Sequence, residues 1–108
     1  MHSEHQQCVE TCYQCAAACE HCAISCLQEE DVQTMQACIR LDMQCAAICR
    51  VTGQFMALES EHLASISRIC IDICRACAEE CSRYQHEHCQ HCAQICRRCA
   101  DACLQMAA

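Results

Sequence analysis

The chain has no proline and a single glycine, Gly53, in 108 residues. Without them the usual punctuation of hairpins, collagen-like repeats and loop-rich scaffolds is missing, and helices are what remains. Aromatic residues are as scarce: Tyr13, Phe55 and Tyr84 are the whole set, too few to fill a core. Seven Lys and Arg against 14 Asp and Glu give a formal net charge of −7, with no basic run. A chain so poor in cations cannot neutralise a phosphate backbone, which excludes nucleic acid as a partner. No uninterrupted apolar stretch has the length needed to cross a bilayer, so no membrane partner is expected. The opening MHSEHQQC lacks the basic and apolar regions of a secretory signal, and a cytoplasmic location is the expectation.

What the chain has in their place is cysteine, 18 residues of it, among abundant alanine and other good helix formers. The length suits one domain, 1–108, with one modest core. In CVETCYQCAAACEHCAISC the thiols fall at Cys8, Cys12, Cys15, Cys19, Cys22 and Cys26. Steps of four and three residues trace one side of an α-helix. The same spacing returns at Cys38, Cys45 and Cys49, then at Cys70, Cys74, Cys77 and Cys81, then at Cys89, Cys92, Cys96, Cys99 and Cys103. Four copies of one helical pattern predict an all-α fold with helices over about 3–28, 31–52, 56–84 and 86–106. Ser3 with Gln6 reads as a capping box, Asp31 as an N-cap, and Gly53 as the end of the second helix.

Short connections make the bundle antiparallel, up-down-up-down, with all four seams facing one axis. Matching residues across the turns stacks Cys15, Cys45, Cys70 and Cys99 in one layer and Cys22, Cys38, Cys77 and Cys92 in another. The layer between holds Cys19, Cys74 and Cys96, with either Asp42 or Leu41 inward on the second helix. Toward one end the seams become Phe55, Met56, Leu63, Ile66 and Met106, an apolar plug. Toward the other lie His21, Met35, His86, His88 and His91, beside Cys26, Cys81 and Cys89. That end reads as a polar mouth. Each histidine there is either a solvated helix-end residue or a ligand that hands an ion to the thiols. Met35 is packing or a thioether donor, and His2, His5 and His62 have no role in this reading.

Cysteines at i and i+4 of a helix have Cβ atoms about 5–6 Å apart, against about 3.5–4.5 Å in a disulfide, so no bridge forms along a seam. Nor is cysteine a good core residue for its own sake, since leucine buries more surface. Metal is what thiols bind. The loop motif of iron–sulfur clusters is absent. Zinc or mixed soft-metal sequestration is the alternative, but two thiolates per zinc charge leave excess negative charge in a buried core. Cu(I) is soft, accepts two or three sulfurs and carries a single charge, so about one ion per thiol keeps the core neutral. Nothing singles out a nucleophilic cysteine, a Ser/His/Asp set or a phosphate loop, and no enzyme is expected.

The repeated C-x₃-C and C-x₂-C pairs on all four segments resemble the cytosolic copper storage proteins, the four-helix bundles of the Csp family. The similarity covers essentially the whole chain. It implies Cu(I) filling the core, access from one open end, and a homotetramer of bundles. All 18 cysteines are then the metal-binding set, with His86, His88, His91 and Asp42 as further candidates at the entrance or in the core.

Overall fold

In the computed structural model, which describes residues 3–108 and side chains from His5 onward, the backbone turns back on itself three times along a rod of 44 × 20 × 17 Å. Helix α1 runs Ser3–Leu27, α2 Gln36–Ala57, α3 Leu63–Cys81 and α4 Glu87–Leu104. A 3₁₀ turn, Val32–Met35, leads into α2, and another, Gln105–Ala107, ends the chain. No strand occurs among the described residues. Each helix packs on the next, and α1 also packs on α4, which closes a four-helix ring around one axis. The seams predicted from the 4-3 spacing all face that axis: apart from Cys8, every cysteine is fully buried. The capping box at Ser3 lies outside the described side chains.

Two turn assignments need correction. Gly53 does not end α2 but lies buried inside it, beneath the ring of Tyr13. A Cβ at residue 53 would come within 2.9 Å of Tyr13 Cε1, so glycine is required there for close approach rather than for a turn. The helix ends instead at Glu59, whose φ of 54° is left-handed. Glu59 N–H donates to Met56 O at 3.1 Å and Ser60 N–H to Phe55 O at 3.0 Å, the hydrogen-bond pair of a Schellman cap built without glycine. Asp31 is not the N-cap of α2 either. It precedes the 3₁₀ turn, makes no side-chain cap bond, and turns its carboxylate to His86 at 3.1 Å.

The late turn has a consequence for register. Because α2 runs on to Ala57 and α3 starts only at Leu63, α3 is displaced by one helical turn from the expected stacking. Cys45 meets Cys74 rather than Cys70, at 3.6 Å, and Cys38 meets Cys81 rather than Cys77, at 3.2 Å. Between α1 and α2 the expected register stands, with Cys15 at 3.9 Å from Cys45.

Candidate metal centre

Seventeen thiols and one carboxylate form a continuous column down the axis. Successive groups whose ligand atoms all lie within 4.8 Å of one another are Cys15, Cys49, Cys74 and Cys99; Cys15, Cys19, Cys45 and Cys96; Cys19, Cys77, Cys92 and Cys96; Cys22, Asp42, Cys81 and Cys92; and Cys22, Cys26, Cys38 and Cys89. At the far end Cys103 continues the run, 3.9 Å from Cys12 and 4.0 Å from Cys70. Neighbouring groups share Cys15, Cys19, Cys22, Cys92 and Cys96. Sharing follows from the helix itself, since residues three and four apart on one seam are neighbours and each reaches the layers above and below. Cys8 stands apart at the edge of α1, 3.4 Å from the carbonyl of Ala102.

Asp42 settles the choice on α2 by turning fully inward, while Leu41 flanks the core. Its Oδ1 accepts from Cys77 at 3.2 Å, Cys92 at 3.3 Å and Cys81 at 3.5 Å. Burial, and then the charges of Cys92, Cys77 and Cys38, push its carboxyl up to about 11. The metal-free core therefore keeps it neutral at pH 7, as a low-dielectric site surrounded by potential anions should.

At the mouth the thiols diverge. Hydrogen bonds from Cys22 and Cys81 bring Cys38 down to about 4, whereas burial and the nearby Cys38 charge push Cys89 up to about 12. Cys38 is thus the place where a thiolate forms most readily in the mouth group. Above that group His88 sets Nδ1 at 3.4 Å from Cys22 Sγ and 3.5 Å from Cys89 Sγ. Its Nε2 is 2.8 Å from Glu29 Oε2. The ring of His86 stacks on it, centroids 5.5 Å apart, and bonds Glu29 and Asp31 rather than sulfur. Tyr84 ties this end together, its hydroxyl 2.8 Å from both Thr34 O and the Glu80 carboxylate.

The predicted mouth histidines therefore divide. His86 and His88 cap the column, but His21 and His91 are exposed, and together with Ser25, Glu87 and His88 they line a cavity of about 360 Å³ between α1 and α4. Met35 is fully buried and packs on the core. At the other end Met56 is buried and Phe55, Leu63, Ile66 and Met106 are half-buried. Two polar residues that the cysteine pattern does not include lie there: Thr52 and Ser67 are fully buried where the 4-3 spacing of α2 and α3 continues beyond the last cysteines. The Thr52 hydroxyl donates to Ile48 O at 2.7 Å, while Ser67 Oγ has no partner among the described residues.

Residues 1–108 match the family model described as copper storage protein, Csp. The structure superposes on the Cu(I)-bound copper storage protein BsCsp3 with a TM-score of 0.93 and 42% identity, covering 98% of this chain and 100% of that one. It superposes on a cytosolic copper storage protein from Streptomyces lividans, solved with five coppers, with a TM-score of 0.93 and 36% identity over 96% of this chain and 92% of that one. The uncharacterized cysteine-rich protein YhjQ of Bacillus subtilis (strain 168) is 42% identical over 85 residues, 79% of each protein. Sequence, fold and a thiol column of shared sulfurs agree, and the chain belongs to the copper storage protein family.

Proposed function

We propose that this chain stores many Cu(I) ions along its axis, on the order of one per cysteine, as a single binding domain and not an enzyme. The observation that carries the proposal is the sharing of sulfurs between successive groups. A thiolate that bridges two Cu(I) ions gives each ion sulfur on two or three sides and leaves the filled column neutral, because every ion displaces one proton. Zinc prefers closed, separate tetrahedra and fits shared sulfurs poorly. In this reading the 17 column thiols are the storage ligands, Cys8 is a peripheral one, and Asp42 is an oxygen donor midway along the mouth half. His88 passes ions from solvent to Cys22 and Cys89, with His86 as its support. His91 serves at most a lateral surface role.

The finer features of the family reading follow. A cytoplasmic store is supported by the word cytosolic applied to the Streptomyces relative. Assembly into a homotetramer is supported by the apolar face of α1 and α2, where Ile24, Leu27 and Met43 are each more than half exposed around a cavity of about 380 Å³. The test of storage is anaerobic titration of reduced protein with Cu(I) against a chromophoric chelator, then the same with zinc. Copper should saturate near the number of cysteines. Saturation near one ion per four thiols, or tighter filling by zinc, would replace copper storage with zinc sequestration.

A further inference from the structure

Three atoms at the mouth converge without any sulfur among them. Glu29 Oε2 lies 3.0 Å from His86 Nδ1 and 2.8 Å from His88 Nε2, one oxygen between two imidazole nitrogens. Ligands on a tetrahedral zinc, with bonds of about 2.0–2.1 Å, stand about 3.3–3.4 Å apart, so the two contacts of Glu29 need open by only a few tenths of an ångström to admit an ion, with the two rings turning to face it. The remaining nitrogen of each ring is already held. His86 Nε2 faces Asp31 at 3.1 Å, and His88 Nδ1 faces the Cys22 and Cys89 sulfurs. Outer partners of this kind fix the ring orientation of metal-binding histidines. Burial falls outward through the set: the side chains of His88, Glu29 and His86 are 13%, 28% and 31% exposed. A fourth position is thus open to water.

We infer that Glu29, His86 and His88 form a second metal site, built for a borderline divalent cation of the zinc class, whose occupancy closes the axial route to the thiol column. The donor set decides the class. Two imidazoles and a carboxylate suit Zn²⁺, whereas soft Cu⁺ gains far more from the thiolates directly below. The Glu29 carboxylate offsets half of a divalent charge and Asp31, through His86, much of the rest. Closure follows from His88 being shared: a ring fixed to a cation through Nε2 cannot turn to pass an ion to Cys22 or Cys89. No covalent or redox step is involved, only exchange of the Glu29 hydrogen bonds for metal bonds.

The inference rests on the storage reading twice: the closure takes His88 as the entry residue, and the test uses copper-filled protein, in which the column thiolates are already occupied. Zn²⁺ is titrated into that protein anaerobically by calorimetry, with Co²⁺ as the spectroscopic probe. One ion per chain should bind, and cobalt should show visible d–d bands without sulfur-to-cobalt charge transfer. Glu29→Gln should abolish binding, Asp31→Asn should weaken it about tenfold, and Glu30→Gln, changing an exposed neighbour, should leave it unchanged. Zn²⁺ should also slow chelator-driven removal of copper in the wild type but not in Glu29→Gln. No binding, binding that survives Glu29→Gln, or a charge-transfer band would each overturn the site. Site binding without slowed removal would overturn the closure. Copper filling is counted first, so a failed store is seen before any divalent ion is added. The wild-type minus Glu29→Gln cobalt difference spectrum reads the mouth on metal-free protein as well.

Discussion

The two ends of the column are built from the same four helices and the same spacing, yet they differ in what lies beyond the last thiol. At the mouth, Cys22 and Cys89 meet His88, then Glu29, His86 and Asp31, a graded path of nitrogen and oxygen donors into water. At the far end, Cys70 and Cys103 give way to Thr52, Ser67 and then Met56. A cation leaving thiolate there meets hydroxyls and apolar carbon, and would lose its ligands in a low-dielectric region at a cost of several kcal/mol or more. On the proposed storage reading, the direction of entry is set by the side chains that end the seams, not by the seams.

The sharpest way to break this comparison is kinetic. His88→Ala should slow Cu(I) loading in stopped-flow by about tenfold, equivalent to about 1.4 kcal/mol on the barrier, while final capacity holds. Met106→Ala at the far end should leave the rate alone. Unchanged loading in His88→Ala together with a faster or slower Met106→Ala would put the entrance at the other end.

A second difference is the carboxylate. Among the described residues only the mouth half of the column contains one, and Asp42 sits near 11 in the folded protein against an ordinary 3.8. A raised value means the native state holds a proton that the unfolded chain has released. The stabilisation is full below the unfolded value and is lost as pH rises toward the folded one. Between about pH 5 and 8 Asp42 should therefore tilt the urea midpoint of metal-free protein downward as pH rises, against the opposite tilt from the lowered Cys38 thiol. Asp42→Asn should remove the downward tilt. An equal slope in both proteins would mean that other groups carry it.

Within the thiol column the two halves should behave alike. Cys15→Ala in the far half or Cys92→Ala in the mouth half should each lower capacity by about one or two ions and leave the rest of the column filling, because bridging sulfurs overlap in function. Chelator competition counts the ions. Collapse of all binding from either change would indicate one cooperative cluster.

Much of this was legible in the residue spacing. Steps of three and four on four segments place every seam on the axis whatever the details of the turns. Register was less legible, because it hangs on where α2 ends, and a left-handed Glu59 carries no sequence signal comparable to glycine. Gly53 misled for a related reason: its missing side chain serves Tyr13, a contact between helices that no local pattern encodes. His88 and His91 stand alike, each just before a seam cysteine. His88 lies in the first turn of α4 and can lean over the end of the bundle, whereas His91 is a turn deeper, with α1 alongside. Thr52 and Ser67 could have been found by carrying the same spacing past the last thiols.

The smallest expected effect checks the turn that sets the register. Glu59→Gly should stabilise the metal-free bundle by about 1 kcal/mol, since glycine adopts the left-handed cap without strain. Thermal or urea unfolding measures it, and a loss of stability would mean that the Glu59 side chain contributes more than its backbone strain costs.

The central claim, that sulfurs are shared from one group to the next, is tested most directly by X-ray absorption at the copper edge of the filled protein. Shared thiolates hold neighbouring ions close, so the expected spectrum has two to three sulfur scatterers per copper and a clear short copper–copper vector. Copper bound by sulfur with no copper neighbour would contradict it, and would make the column a row of separate sites.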